Sequence, residues 1–186
     1  MTGFPSLDKP WLKYYSDDSI NFENPNSTAY EYLFEMNKER LDYYAINYYG
    51  NRIKYRELFD KIDEVSSAFI NLGIKECDFV SFCMPTLPET IYSFYALNKI
   101  GAVCNFIDLR MNKERILKYI NDTDSKIVVT LSSVSSKVYS IFEESTASTL
   151  IDISPSDSLK GIKRFLYRLK VKEDFSCDNK TSLTWD

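Results

Sequence analysis

The chain has 186 residues, of which 44% are hydrophobic and 27% charged, the balance of one soluble globular domain with an appendage. Its 23 basic and 27 acidic side chains leave a net charge of −4, which argues against a nucleic-acid footprint, where a basic face is expected. There is no histidine, so His-based triads and His metal sites are excluded, and no window approaches the roughly 18 apolar residues of a transmembrane helix.

In chain order, residues 1–26 are rich in Pro, Asn, Ser and Asp and read as an extended arm, with Trp11, Tyr14 and Tyr15 expected to pack it onto the body. Thr28-Ala29-Tyr30-Glu31 is a capping-box pattern that opens a helix expected to end near Arg40. Residues 43–48 and 52–55 read as two short strands about a turn at Gly50-Asn51. A helix over 56–72 follows, with Leu58, Ile62, Val65, Phe69 and Leu72 at three- and four-residue spacing and Gly73 as its stop.

Asp78–Met84 is a short apolar run suited to a buried strand. Pro88 and Glu89 suit the first turn of the next helix, which carries Ile91, Phe94, Tyr95 and Leu97 and stops at Gly101. Ala102–Ile107 reads as a second buried strand, and 112–121 as a helix bearing Ile116, Leu117 and Ile120. Lys126–Leu131 is the clearest strand, and a helix over 135–144 and a strand over 149–153 complete the alternation. Strand and helix repeated in this way predict an α/β fold, with a mostly parallel sheet, flanking helices and right-handed crossovers. The expected organisation is an arm at 1–26, an α/β subdomain at 27–155 and a connector at 156–186. Within the connector, 160–172 is basic and amphipathic, with Ile162, Phe165, Leu166 and Leu169 on one helical face. It reads as a connector laid over a neighbour, or as a partner- or membrane-surface helix.

Candidate chemistry falls at the ends of the strands, because ligands of parallel sheets bind at the switch point beyond their carboxyl ends. The loops there offer Thr86, Asp108, Arg110, Ser132 and Ser133. Asp108 with Arg110 reads first as an exposed ion pair or loop cap, and Ser132-Ser133 with Ser135-Ser136 as an N-cap and turn. No serine has a visible general base. Glu143-Glu144 and Asp122/Asp124 read as solvated helix ends. The tyrosines of 30–55 read as packing residues with a polar tip and not as base-stacking platforms.

The five glycines stand at 3, 50, 73, 101 and 161. No G-x-G-x-x-G or G-x-x-x-x-G-K-[ST] loop can be drawn through them, so no segment brings backbone amides around a phosphate. Cys77, Cys83, Cys104 and Cys177 show no C-x-x-C spacing, and Cys83 and Cys104 read as small buried hydrophobes. No metal site follows. The first ten residues lack a basic stretch followed by an apolar one, and a reduced cytoplasmic setting is expected.

The span 50–131 carries a family resemblance. Arg52-Ile53-Lys54-Tyr55-Arg56-Glu57-Leu58, Phe69–Ile74, Asp78-Phe79-Val80-Ser81-Phe82-Cys83-Met84-Pro85-Thr86-Leu87-Pro88-Glu89, Tyr95–Val103, Asn105–Asp108 and Lys126–Thr130 stand in the order and spacing of elements of AMP-forming acyl-CoA synthetases. The chain resembles the N-terminal subdomain of the large domain of these adenylate-forming enzymes. Two departures are Cys77, where the family usually has glycine, and Asp108-Leu109-Arg110, where an aspartate or asparagine followed by proline is commoner.

For a longer parent protein the resemblance implies ATP, Mg²⁺ and CoA, and a carboxylic acid substrate. The acid is activated as an acyl-adenylate and then passed to a thiol. The family's glycine-rich ATP loop, its adenine and ribose motifs and its C-terminal lysine have no counterpart in these residues. No catalytic, cofactor-binding or metal-binding residue is therefore transferred. The chain is expected to stop before the ATP loop, to be inactive alone, to partner with the parent's remaining subdomains and to self-associate if a face they cover is exposed. An amino-acid-adenylating relative, a non-catalytic α/β binding module and a flavodoxin-like mononucleotide binder stay open as alternatives.

Overall fold

The computed structural model describes residues 2–21, 26–132, 135–159 and 180–185. The basic stretch 160–172, Ser133, Cys177 and the side chains of Ser135 and Ser136 lie outside the described residues.

The arm forms a one-turn helix α1 (Pro5–Asp8), a 3-10 turn at Leu12–Tyr14 and a second one-turn helix α2 (Asp17–Ile20). The Asp8 carboxylate accepts from the backbone N–H groups of Thr2 at 2.7 Å and Gly3 at 2.8 Å. Trp11, Tyr14 and Tyr15 do not pack onto the body: they are 43%, 79% and 57% exposed. Four-residue helices are too short to present a continuous apolar stripe to a neighbour.

Helix α3 (Ala29–Asn37) opens on the expected capping box. The Thr28 hydroxyl accepts from the Glu31 N–H, and the Glu31 carboxylate accepts from the Thr28 N–H. Strands β1 (Tyr44–Tyr48) and β2 (Asn51–Lys54) form an antiparallel hairpin whose register pairs Tyr48 with Asn51. The two-residue turn is therefore Tyr49-Gly50 and not Gly50-Asn51. Both residues take positive φ, 48° and 86°, as a primed hairpin turn requires. Helix α4 (Tyr55–Asn71) buries Leu58, Ile62, Val65 and Phe69 as its spacing predicts, whereas Leu72 caps the helix and is exposed.

The main sheet holds β3 (Phe79–Cys83), β4 (Val103–Phe106), β5 (Ile127–Leu131), β6 (Thr149–Ile153) and β7 (Thr181–Thr184). All are parallel, in the order β4-β3-β5-β6-β7. Helix α5 (Pro88–Ile100) joins β3 to β4, α6 (Lys113–Asp122) joins β4 to β5, and α7 (Ser135–Glu144) joins β5 to β6.

Strand side chains alternate between the two faces. Val80, Phe82, Ile127, Val129, Leu131, Ile151 and Ile153 join the core beneath α4 and α5, and Cys83, Val128 and Leu150 join that beneath α6 and α7. Helix α5 turns Tyr92, Ser93, Ala96 and Leu97 inward, while Ile91, Phe94 and Tyr95 are only half-buried.

Two further features differ from the sequence reading. β4 is an edge strand and not a buried one, with Val103 40% and Phe106 53% exposed. β7 was not anticipated, because Thr-Ser-Leu-Thr lacks an apolar run; it pairs with β6 through Ile151 opposite Leu183. Cys77 has φ of 65°, the left-handed region that glycine enters without strain, which explains physically why glycine is usual at this point in the family it resembles.

A buried polar network crosses the α6 face. The Ser81 and Ser125 hydroxyls lie 2.7 Å apart, the Asn105 amide donates to Ser81 at 2.9 Å, and the Thr123 hydroxyl meets Ser125 at 2.7 Å.

Candidate functional site at the carboxyl edge of the sheet

All five parallel strands end on one edge of the sheet, and Thr86, Asp108, Arg110 and Ser132 stand along it. Thr86 is exposed in the turn after β3. Asp108 and Arg110 follow β4 and form the expected ion pair. The guanidinium donates to Oδ2 at 2.9 Å from Nε and 2.6 Å from the terminal nitrogen and to Oδ1 at 3.0 Å from Nε, and the Arg110 N–H adds a bond to Oδ1 at 2.9 Å. The Arg110 side-chain bonds, followed by its backbone N–H, hold the Asp108 carboxyl down to about 2.

Lys137 of α7 fixes the same loop by donating to the carbonyls of Leu109 at 2.8 Å and Met111 at 2.6 Å. This corner is thus occupied by its own internal pairing. Ser132 is buried at the end of β5.

The structure does not bring the other acids together. Glu144 pairs with Lys113 at 2.6 Å across α6 and α7, Asp122 pairs with Lys118 one turn back, and Asp124 stands in a turn. Among the described residues no three His, Cys, Asp or Glu side chains converge as a metal site would require. Cys83 is fully buried and Cys104, on the edge strand β4, is half-buried against the core, and burial pushes both thiols up to about 12.

Sequence reasoning missed a contact on the α4 side of this edge. Glu89, in the first turn of α5, is buried, and its carboxylate accepts from the Ser158 hydroxyl. The Ser158 carbonyl accepts from the Asn51 amide at 2.9 Å. The helix start, the β1–β2 hairpin and the loop after β6 are tied at one point. The only sequence signal was an acid at a helix start, which usually marks a solvated charge. Burial foremost, then the charge of Glu89, pushes the Tyr92 phenol up.

Two grooves flank α4 here. One, of about 380 Å³, is lined by Glu57, Asp60, Glu64, Glu89 and Asp157, with Lys61 as its one cation among the described residues. The other, of about 580 Å³, is more apolar, with Val65, Phe69, Leu72, Ile151 and Leu183. Trp185, just past β7, lines both.

Gly73 and Gly101 stop helices, Gly50 makes the hairpin turn and Gly3 lies in the arm, so among the described residues no glycine stands at the end of β3, β4, β5 or β6 to bring amides around phosphates. The groove beside Glu89 carries acids that oppose an anion.

A doubly wound parallel sheet with helices on both faces defines the class, and the comparisons define the family. The profile described as AMP-binding enzyme matches residues 33–181. The chain belongs to the AMP-binding enzyme family.

An acetyl-coenzyme A synthetase of Dictyostelium discoideum is 27% identical over 131 residues, which is 67% of this chain and 18% of that protein. A long-chain-fatty-acid–CoA ligase of Bacillus subtilis (strain 168) is 22% identical over 171 residues, 91% of this chain and 30% of that protein. Among solved structures, the anthranilate CoA ligase AuaEII in complex with anthranoyl-AMP superposes with a TM-score of 0.66 at 14% identity, over 84% of this chain and 31% of that one. A benzoate CoA ligase from Burkholderia xenovorans LB400 gives 0.63 at 19% identity, over 68% and 26%. These superpositions establish the shared fold. The chain spans between 18% and 30% of the length of these two curated relatives.

Proposed function

We propose that these residues form one flank of the large domain of an ATP-dependent carboxylate-activating ligase, which makes an acyl-adenylate and then an acyl-CoA. The observation that carries the reading is the family match over 33–181, laid on a five-stranded parallel sheet with CoA ligases as structural neighbours. In this reading ATP, Mg²⁺, CoA and the carboxylic acid bind the remaining subdomains of a longer protein. The residues described here supply the scaffold on which those subdomains dock. Two features support that division: the glycine-free strand ends and the acidic lining beside Glu89, since an anionic substrate gains nothing from either. A cytoplasmic setting accords with this reading, and no helix among the described residues is long and apolar enough to cross a membrane.

The test is carboxylate-dependent exchange of pyrophosphate into ATP in the presence of Mg²⁺. The measurement is made on the 186-residue chain and on the product of the complete reading frame that contains it. Exchange is expected from the second and not from the first. Exchange by the 186 residues alone would falsify the division of labour, and a reading frame that ends at Asp186 would overturn the ligase reading.

A further inference from the structure

We propose that Asn105, through the polar network on the α6 face, fixes the register of β4 against β3 and thereby sets where the Asp108–Arg110 loop stands at the carboxyl edge of the sheet. Among the described strands β4 pairs with β3 alone, with Phe79 opposite Val103, Val80 opposite Cys104, Ser81 opposite Asn105 and Phe82 opposite Phe106. Side chains alternate along a strand, so Asn105 and Ile107 face α6, and Ala102, Cys104 and Phe106 face α5.

The Asn105 amide donates to the Ser81 hydroxyl at 2.9 Å, and to the Tyr119 carbonyl and the Thr123 hydroxyl at 3.3 Å each. The Thr123 hydroxyl also meets the Tyr119 carbonyl at 2.9 Å and the Ser125 hydroxyl at 2.7 Å, and Ser125 lies 2.7 Å from Ser81. One amide thus joins β3, the last turn of α6 and the turn before β5. Ser81 and Ser125 are 0% and 1% exposed, so a donor lost there is not replaced from solvent.

The apolar pattern by itself specifies this register weakly. If β4 advanced by one residue, Val103 would take the place of Cys104, and Phe106 that of Ile107, apolar for apolar at both. The Phe106 ring would give up its contacts with Phe82 at 5.2 Å and Phe94 at 6.3 Å, and would gain the place of Ile107, which is 5% exposed. The ladder bonds, Val103 N–H to the Asp78 carbonyl and Ile107 N–H to that of Phe82, are remade by neighbouring residues in either register. Gly101, which caps α5 at φ 83°, restrains the strand from its entry side only.

The network is not remade. Cys104 would stand opposite Ser81, a weak donor in place of an amide. Asn105 would turn to the α5 face, against the rings of Phe82 and Phe94. A slip of one residue exchanges the two faces of a strand, so a buried amide with partners on one face distinguishes the registers. The slip also moves the following loop by about 3.3 Å. That displacement breaks the Lys137 bonds to the Leu109 and Met111 carbonyls, at 2.8 Å and 2.6 Å.

The test chain carries Val80→Cys and Val103→Cys beside the native Cys104, with Cys77 and Cys177 replaced by Ser. Paired strands lie about 4.8 Å apart, within disulfide reach. A brief oxidation pulse under native conditions therefore joins residue 80 to 104 in the register described, and to 103 in the advanced one. Tandem mass spectrometry of the bridged peptides reads the ratio. The 80–104 bridge should dominate, and Asn105→Leu should lower the ratio of 104 to 103 on the order of 10-fold. Ser81→Ala removes one of the three acceptors and should lower it by about 3-fold. An unchanged ratio in folded Asn105→Leu overturns the proposal, since the network would then add stability without choosing the register. If Asn105→Leu does not fold, Ser81→Ala decides by the same ratio, and no change there overturns the proposal equally.

Discussion

Gly73 and Gly101 offer a controlled comparison, because both end a helix with φ near 84° and only one has a neighbour. The values are 85° at Gly73 and 83° at Gly101. A Cβ added at Gly73 would meet nothing within 4 Å, whereas one at Gly101 would stand 3.0 Å from Cγ of Glu76 and 3.5 Å from its Cβ. For Gly73→Ala the cost is conformational strain alone. That is about 1–2 kcal/mol for an L-residue in the left-handed region, offset by about 0.4–1 kcal/mol from the stiffer unfolded chain. A net loss of about 1 kcal/mol is expected.

Gly101→Ala carries the same strain and also displaces Glu76, at a further cost of about 0.5–1.5 kcal/mol for a side chain pushed off its rotamer. The assay is urea unfolding of both variants with Glu76→Ala alone and in combination, closed as a double-mutant cycle. Gly101→Ala should lose more than Gly73→Ala, and Glu76→Ala should bring the two together. Equal losses, or a gap that Glu76→Ala leaves open, refute the steric reasoning.

Two further outcomes are expected. In a Cys177→Ser background, an alkylating reagent at pH 8.5 should modify the exposed Cys77 in the native chain and spare Cys83, whose thiol is buried and pushed up to about 12. Mass spectrometry of the modified peptides decides this, and rapid native labelling of Cys83 would contradict the placement of β3. Asp78 is held below its usual range, first by the Lys126 ammonium at 2.7 Å and then by the Lys75 N–H. A depressed folded value means that the stabilisation is present above the unfolded value of about 3.8 and is lost as pH falls through the folded one. Asp78→Asn should therefore be less stable than the parent at pH 7 and should converge with it in acid. A constant difference in urea midpoint across that range would rule out the linkage.

Much of the fold was legible because local signals and tertiary demands agree. The Thr28–Glu31 capping box, the α4 stripe of Leu58, Ile62, Val65 and Phe69, and the β-branched run of β5 each state their own structure. Glycine positions excluded a phosphate loop directly, and ordered elements between residues 50 and 131 pointed to the family that the profile match over 33–181 establishes. Asp108 and Arg110, two residues apart, formed the local pair their proximity allows.

Other features depend on what lies opposite a residue, and no periodicity encodes that. β7 is polar apart from Leu183, and it becomes a strand by pairing with β6. Ala102–Ile107 has the composition of an interior strand, yet strand order leaves it at the margin. Glu89 reads as a solvated helix start and is buried against Ser158, 69 residues away. Lys180 donates to the carbonyls of Phe142, Ser145 and Ala147 at the end of α7, a helix that ended 36 residues earlier, since 180 − 144 = 36. Sequence by itself determined the elements, the fold class and the absence of a triphosphate loop, because those follow from spacing and residue type. Tertiary structure decided the strand order, the buried carboxylate and the Lys180 hydrogen bonds, because a hydrogen bond or a covered face exists only once two distant segments meet.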